Sequence, residues 1–177
     1  YTLALHTGMR QGEILGLRWE DIAWDEARLV IRRTVQYVAG EGLVVRTPKA
    51  GSERTIVLAR TALEALMAHR AALVETGRLP SGYVFATTSG QPLSARNVVR
   101  HFRALVRRLG LPLIRFHDLR HTAATLLLAE GVPDRVVAEL LGHRDPALTK
   151  RVYQHVLPRL VRQAAEALER ALGGDTP

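Results

Sequence analysis

A run of three short helices, separated by helix-breaking residues, is the feature that most constrains the fold of this chain. The apolar segment 122–129 predicts the first helix, the segment 134–141 the second and the segment 147–152 the third. Glycine and proline residues fall in both intervals, where they end one helix and begin the next. Because the chain reverses direction repeatedly over a short distance, the ends of these helices can gather at one place. The pattern predicts a mainly α fold.

Side chains suited to phosphate chemistry lie at the boundaries of these helices. His117 and Arg120 stand at the start of the first helix, His143 follows the second and Tyr153 follows the third. A guanidinium group binds two phosphate oxygens at once, and imidazoles add further hydrogen bonds. Such donors stabilise the charge that a phosphodiester gains under attack, and a phenol can supply the nucleophile. The spacing therefore points to phosphoryl transfer at these helix ends.

Two cationic residues nearer the start of the chain extend this set. Arg10 follows a helix that ends at Gly8, and a loop-to-helix junction leaves backbone N–H groups free to face an anion. Glu13 lies three residues further on, close enough to orient Arg10 through a charge-assisted pair. Of the 25 basic residues only Lys49 and Lys150 are lysines, and lysine, unlike arginine, can give up a proton near neutral pH. Lys49 is therefore a candidate proton donor.

The segment between positions 28 and 58 predicts a small antiparallel sheet. The three expected strands cover residues 28–35, 43–46 and 54–58. A turn separates the second strand from the third, so we expect Lys49 near the tip of the last hairpin. A helix to Gly77 follows, and Thr61 with Glu64 three residues later predicts a capping box at its start. The fold class is thus mainly α with a small antiparallel β-sheet.

A strongly basic helix follows the helix that ends at Gly77. Ser94 predicts its N-cap and Leu109 its end, and four arginines recur near every turn: Arg96, Arg100, Arg103 and Arg107. Arginines in this pattern form either a face that follows DNA phosphates or an ordinary solvated surface. We interpret this face as DNA-binding. The formal net charge of +8 favours an anionic partner, nucleic acid before membrane, because no strongly apolar amphipathic helix carries the charge.

Composition bounds the remaining possibilities. The chain has 177 residues and no cysteine, so disulfides and thiolate metal sites are excluded. No apolar run approaches ~18 residues and no signal peptide is visible, so we expect a cytoplasmic domain that does not enter a membrane. An apolar stripe over 157–172 predicts a last helix that packs on its own domain or on a neighbouring protomer. We expect one domain over 1–172 and a tail over 173–177, within a longer protein.

Five segments together resemble the catalytic domain of the tyrosine recombinase, or phage integrase, family. The segments are Thr7–Glu13, Thr47–Lys49 with Arg54–Ile56, His117–Ala123, Leu141–His143 and Tyr153–His155. Their order, spacing and contexts agree over nearly the whole chain. The resemblance implies the fold of DNA breaking-rejoining enzymes. Members usually carry an N-terminal DNA-clamping helical domain as well, which this sequence does not include.

The resemblance implies a role for each residue that would bind the scissile phosphate. By this resemblance Arg10 and Arg120 clamp the phosphate, and His117 and His143 donate hydrogen bonds to it. Glu13 is a supporting residue in the same scheme. The resemblance also implies double-stranded DNA as the partner, with self-association as a tetramer on paired sites in the full-length protein.

The chemistry implied by the resemblance needs no metal and no cofactor. Tyr153 is the nucleophile, His117 helps to deprotonate it, and Lys49 is the general acid for the departing 5′ oxygen. The product is a 3′-phosphotyrosyl link with a free 5′ hydroxyl, and attack by the hydroxyl of a partner strand exchanges the strands. The implied activity is that of a site-specific DNA recombinase or integrase.

Three other functions remain open on the sequence. The first is a metallohydrolase. His117 and His121 stand four residues apart with an acidic residue between them, which imitates a zinc site, although Arg120 would place a cation beside the metal. A type IB topoisomerase shares the tyrosine chemistry but relaxes DNA without exchanging strands between protomers. A DNA-binding module without catalysis would leave the reactive set unused. Inhibition by a chelator, strand exchange and a covalent adduct discriminate these alternatives.

Overall fold

The computed structural model describes residues 1–48, 53–78 and 82–142. The described residues belong to two compact units, Tyr1–Ala123 and a second that begins at Ala124. Several predicted features lie outside the described residues: Lys49, His143, Tyr153, the helices over 147–152 and 157–172, and the tail. No helix within the three described ranges is both long and apolar enough to cross a bilayer.

The first unit opens with two short helices, α1 (Thr2–Thr7) and α2 (Gln11–Gly16). Gly8 ends α1 in the left-handed conformation, with φ of 61°, and its N–H donates to the Ala4 carbonyl over 3.1 Å. A residue with a Cβ is strained in this conformation, which explains the glycine. The sharp stop allows the chain to begin α2 two residues later, with Arg10 as its N-cap. Both helices agree with the sequence prediction.

The β residues form two small antiparallel sheets. The strands are β1 (Ile22–Ala23), β2 (Arg28–Ile31), β3 (Thr34–Val38), β4 (Gly42–Arg46) and β5 (Arg54–Val57). One sheet has the order β1-β2-β5, and β3 pairs with β4 in the other. The predicted last hairpin is therefore wrong: β5 pairs with β2 and not with β4. Leu29 lies opposite Ile56 in this register, and both side chains are buried.

The predicted strand over 28–35 is two strands with a break at Arg32 and Arg33. In β2 the side chains of Leu29 and Ile31 face the core, so unbroken alternation would turn Arg33 toward the core as well. A guanidinium group is costly to bury without a partner. The chain leaves the strand here, and Arg33 Nη1 donates instead to Oδ2 of the buried Asp21 over 2.6 Å.

Two longer helices, α3 (Arg60–Glu75) and α4 (Ala95–Arg108), follow the last strand along the chain. The predicted capping box at Thr61 is wrong, because α3 starts from Ala59 as N-cap and Glu64 pairs with Arg60 over 2.8 Å. Ser94 is the N-cap of α4 as predicted, without a side-chain hydrogen bond. The core of this unit is formed by buried apolar side chains from the helices and sheets, including Leu3, Ile14, Leu29, Ile56, Leu66, Phe102 and Phe116.

The last two described helices, α5 (Asp118–Ala129) and α6 (Asp134–Leu141), agree with the predicted helices of the central stretch. Gly131 and Gly142 both have positive φ, 81° and 67°, where the sequence predicted breaks. In the second unit a small core gathers Ala124, Leu128, Ala129, Val137 and Leu141. The fold is mainly helical with small antiparallel sheets, as predicted.

Candidate active site

The Arg10–Glu13 pair that the sequence predicted is present at the start of α2. Oε2 of Glu13 accepts the backbone N–H of Arg10 over 2.8 Å, and Oε1 accepts Nη1 of Arg10 over 2.9 Å. The first contact satisfies a backbone donor that the helix itself leaves unpaired at its N-terminus. The second fixes the guanidinium group of Arg10. The Glu13 side chain is 3% exposed, whereas that of Arg10 is 40% exposed.

A second arginine, Arg54 at the first residue of β5, binds the same carboxylate from the interior. Its Nη1 donates to Oε1 of Glu13 over 3.1 Å and its Nη2 to Oε2 over 3.0 Å. The Arg54 side chain is 8% exposed, so this bidentate pair is buried. We refer to Arg10, Glu13 and Arg54 as the Glu13 cluster.

The two arginines keep Glu13 ionised. Burial raises the pKa of the Glu13 carboxyl group, but the hydrogen bonds and the charge of Arg54, with the hydrogen bonds of Arg10, outweigh it. The net result is a pKa below the ordinary value of a glutamate. The carboxylate is therefore charged throughout the neutral range and holds Arg10 through a full ion pair.

Gly12 allows α2 to lie directly against β3, which sets the position of the cluster. A Cβ atom at residue 12 would stand 2.5 Å from Oγ1 of Thr34 and 2.7 Å from the Val35 carbonyl oxygen. Real side chains do not approach so closely, so any larger residue must displace the helix or the strand. Since Gly12 stands directly before Glu13, the close approach fixes where the carboxylate meets Arg54.

Arg120 lies on α5 and reaches the same junction. Its Nη1 donates to the carbonyl oxygen of Gly8 over 2.7 Å, and the residue is 4% exposed. Gly8 and Arg10 are separated by one residue, so their Cα atoms are at most about 7 Å apart. The contact thus brings a second guanidinium group, 112 residues distant from Gly8 in sequence, beside the turn that carries Arg10.

His117 stands one helical turn before Arg120, where its carbonyl oxygen accepts the Arg120 N–H over 3.1 Å. Burial, and then the positive charges of His121, Arg120 and Arg115, lower the pKa of the His117 imidazole. Its ring meets that of His121 edge to face, with the centroids 4.9 Å apart. Since the ordinary pKa of histidine is near 6.5, a lowered value leaves His117 neutral at neutral pH and able to accept a proton.

The four arginines of α4 form one exposed stripe. Spacings of four, three and four residues place Arg96, Arg100, Arg103 and Arg107 on the same side of a helix, and all four are exposed. The buried side chains Phe102 and Val106 lie on the other side. The helix contains no acidic residue, so its outer face presents positive charge along its length.

Of the predicted catalytic residues, the structure describes three: Arg10, His117 and Arg120. Arg120 reaches the turn that carries Arg10, and His117 precedes Arg120 by one helical turn. The supporting residue Glu13 joins them. Lys49, His143 and Tyr153 lie outside the described residues. Sequence reasoning gave Arg54 no role, although it lies in one of the quoted segments, because nothing in the sequence indicates which of many arginines meets Glu13.

The chain is similar to proteins of known type over most of its length. The model of the phage integrase family matches residues 1–159. A tyrosine recombinase XerC-like protein of Caldanaerobacter subterraneus is 34% identical over 95% of this chain and 48% of that protein. The integrase of Staphylococcus phage L54a is 29% identical over 93% of this chain and 49% of the phage protein. The chain therefore spans about half the length of these relatives.

Solved structures share the fold. The Tn1549 transposon integrase in complex with transposon right end DNA superposes with a TM-score of 0.79, at 24% identity, over 94% of this chain and 56% of the integrase. The XerA recombinase gives a TM-score of 0.73 at 23% identity, over 92% of this chain and 54% of the recombinase. A lambda integrase fragment bound to a core site gives 0.60 at 25% identity, over 85% and 49% of the two chains.

Proposed function

This chain belongs to the phage integrase family, and we propose that it is the catalytic domain of a tyrosine-type site-specific DNA recombinase. One observation carries the proposal beyond the family resemblance. Arg10, held by the buried carboxylate of Glu13, stands at a turn whose Gly8 carbonyl also binds Arg120. Two guanidinium groups, distant in sequence, are thereby held at the same turn, and a site for a phosphodiester needs such a pair of cations.

A phosphate clamp of this kind favours the transition state of phosphoryl transfer. When a nucleophile attacks, negative charge builds up on the non-bridging oxygens of the phosphate. Guanidinium groups that are already positioned stabilise that charge without reorganising during the reaction. The Arg10 side chain is 40% exposed, and it is anchored by the buried carboxylate of Glu13. The solvent-facing side of its guanidinium group can therefore bind a ligand that approaches from solution.

In the proposed reaction the phenol oxygen of Tyr153 attacks phosphorus and the bond from phosphorus to the 5′ oxygen breaks. The phenol proton passes to a base, and His117 suits this step because its lowered pKa leaves it neutral at neutral pH. Lys49 gives a proton to the departing 5′ oxygen, and His143 donates a hydrogen bond to the phosphate. The product is a 3′-phosphotyrosyl link and a 5′ hydroxyl, and no step uses a metal or a cofactor.

Double-stranded DNA is the proposed partner. The exposed arginine stripe of α4 presents the charge pattern that tracks a phosphate backbone. The Tn1549 and lambda integrase structures that share this fold are complexes with DNA. We expect strand exchange to need self-association on paired sites, as a tetramer of the full-length protein.

A covalent adduct on nicked DNA tests this function. The chain is incubated with a pool of nicked duplexes that have a randomised core, and the bound species is analysed after denaturation. We expect a DNA adduct on the peptide that contains Tyr153, unchanged by a chelator and absent from the Tyr153→Phe variant. An adduct of normal yield in that variant would contradict the assignment. Relaxation of supercoiled DNA without strand exchange would instead indicate a type IB topoisomerase.

A further inference from the structure

We propose that Arg54 is a positioning residue, which holds the Glu13 carboxylate in the orientation that aims Arg10 at the scissile phosphate. This inference rests on the proposed function, because the phosphate is the ligand that Arg10 is aimed at. Arg54 acts through Glu13, and the aim of Arg10 depends on both.

The hydrogen bonds of the Glu13 cluster carry the argument. Each carboxylate oxygen of Glu13 accepts one bond from Arg10 and one from Arg54. The two Arg54 bonds, 3.1 and 3.0 Å, form a parallel fork that fixes the plane of the carboxylate. The Arg10 guanidinium donates to Oε1 through Nη1, and the backbone N–H of Arg10 donates to Oε2. Rotation of the carboxylate would therefore move the guanidinium of Arg10, and Arg54 opposes that rotation.

The location of Arg54 suits an anchor. Its side chain is 8% exposed against 40% for Arg10, so the two arginines bind the carboxylate from the interior and from the surface side respectively. Arg54 is also held by the sheet, since it stands opposite Ile31 in the pairing of β5 with β2. A rigid interior arginine and an exposed one thus share a single buried anion.

Electrostatics give the arrangement a measurable consequence. The charged groups that act on Glu13 are Arg10, the N-cap of α2, and Arg54 on β5. Two other described elements pack against α2 and bring neutral groups. Thr34 of β3 lies beside Gly12, and the Ala95 carbonyl of α4 accepts a hydrogen bond from the Gln11 side chain. Burial raises the pKa of Glu13, and Arg54 is the larger of the two opposing influences. Loss of Arg54 therefore raises the pKa of Glu13, and protonation at moderately acidic pH then weakens the pair with Arg10.

The test is the pH dependence of adduct formation on nicked duplexes recovered from the randomised pool. For Arg54→Met we expect a rate about 10²-fold lower at neutral pH, the loss that a displaced catalytic group typically causes. The acid limb of its pH–rate profile should move to higher pH. Arg54→Lys restores the charge without the fork, so its rate and acid limb should lie between those of Arg54→Met and the unmodified chain. An acid limb unchanged in Arg54→Met would overturn the proposal.

Two matched variants separate this role from others. His117 also titrates in the acid range, so the double variant Glu13→Gln with Arg54→Met serves as a control. Position 13 then carries no carboxylate. The acid limb of the double variant should therefore return to that of the unmodified chain. Arg33→Met removes an arginine from Asp21, a second buried carboxylate of the described residues, and should leave the acid limb in place. A shift in either control would attribute the effect to His117 or to general loosening, and would overturn the proposal.

DNA with sulfur in place of the bridging 5′ oxygen separates Arg54 from Lys49, which lies five residues earlier. Sulfur departs without a proton, so loss of a general acid is rescued on this substrate. Lys49→Ala should approach the unmodified rate, whereas Arg54→Met should stay slow because its defect concerns the non-bridging oxygens. Rescue of Arg54→Met to the level of Lys49→Ala would mean that Arg54 acts through Lys49, and would contradict the inference.

A direct titration keeps the inference separate from the proposed function. Carbon-13 NMR of labelled glutamate side chains follows the carboxyl group of Glu13, which is identified by its loss in Glu13→Gln. A higher midpoint in Arg54→Met than in the unmodified chain supports the anchoring even if no DNA adduct forms, in which case the proposed function alone fails. An unchanged midpoint rejects the anchoring. Should Arg54→Met fail to fold, the midpoint in Arg54→Lys decides in the same way.

Discussion

Two buried carboxylates of this chain, Glu13 and Asp21, begin from the same local arrangement and end with different surroundings. Each is the third residue of a short helix, Gln11–Gly16 or the 3-10 turn Trp19–Asp21, and each accepts the N–H of the N-cap residue, over 2.8 and 2.9 Å. Each also binds an arginine from the β region, Arg54 or Arg33. The shared part is a helix cap, which any fold of this kind can use.

The difference lies in how the cations and anions are matched. In the Glu13 cluster two arginines share one carboxylate, and each of its two oxygens accepts one hydrogen bond from Arg10 and one from Arg54. At Asp21, Arg33 donates to two carboxylates, to Asp21 over 2.6 Å and to Glu20 over 2.7 Å, and Arg18 Nη1 lies 3.5 Å from Oε1 of Glu20. Oδ1 of Asp21 is buried without a hydrogen-bond partner among the described residues, and Arg32 Nε is 3.9 Å from it.

We interpret the Glu13 cluster as one that serves a ligand and the surroundings of Asp21 as ones that serve the fold. Arg10 is the exposed member of the Glu13 cluster, at 40%, and a cation held in this way at the surface can bind an anion. Arg33 is divided between two acids, and it ties the 3-10 turn to the link between β2 and β3. We therefore expect substitutions at the Glu13 cluster to act on catalysis and substitutions around Asp21 to act on stability.

The largest expected effect comes from removing the exposed arginine of the Glu13 cluster. Arg10→Ala should lower the rate of adduct formation by about 10²–10³-fold, the cost of losing a preorganised donor to the transition state. Thermal unfolding should change little, because the buried Glu13 carboxylate keeps both of its hydrogen bonds from Arg54. Its control, Arg33→Ala, leaves Asp21 buried without its close partner and should cost about 3 kcal/mol of stability. A normal rate in Arg10→Ala would contradict a catalytic role for the Glu13 cluster.

The next effect uses two glycines on the same helix. Gly12→Ala places a Cβ 2.5 Å from Thr34 Oγ1, so α2 must shift and the carboxylate of Glu13 with it. We expect the rate of adduct formation to fall by about 10–10²-fold, since small displacements of catalytic groups are costly. Gly16→Ala meets the Arg33 carbonyl oxygen at 3.0 Å, on the side of Asp21. Its effect should be on unfolding temperature, and equal rate losses in the two variants would show that the helix moves as one body.

A smaller effect is expected in the dependence of stability on pH. Because the folded-state pKa of Glu13 is lowered, its contribution is present above the ordinary glutamate value and is lost as pH falls through the folded value. The lowered pKa of His117 acts in the same direction at higher pH, since protonation of its imidazole favours the unfolded chain. Denaturant unfolding should be measured between about pH 3 and pH 7. Below the ordinary pKa of glutamate, the free energy of unfolding should fall less steeply with decreasing pH in Glu13→Gln than in the unmodified chain. A decline as steep as in the unmodified chain would remove Glu13 as its cause.

The sequence predicts the features that depend on neighbouring residues. Helix ends at Gly8, Gly131 and Gly142 follow from glycine's access to positive φ, and the Arg10–Glu13 contact follows from a spacing of three residues. These features hold in the structure because no distant partner is needed to produce them.

Features that depend on pairing across the chain could not be read in this way. Arg54 meets Glu13 across 41 residues, and Arg120 meets Gly8 across 112. The alternating segment 28–35 predicted one strand, yet the chain breaks where Arg33 finds Asp21. Strand order and the choice of partner for a given arginine depend on the packed core, so the local pattern does not determine them.

The most direct test of a catalytic role for the Glu13 cluster compares Glu13→Gln with Asp21→Asn in a single-turnover measurement of adduct formation, corrected for the folded fraction. Both changes neutralise a buried carboxylate and keep its approximate shape. We expect Glu13→Gln to lower the rate per folded molecule by about 10²-fold, because Arg10 loses its orientation. Asp21→Asn should keep the rate of the unmodified chain while lowering its unfolding temperature. Equal rates in the two variants, or a slower Asp21→Asn, would contradict the assignment of the Glu13 cluster to catalysis.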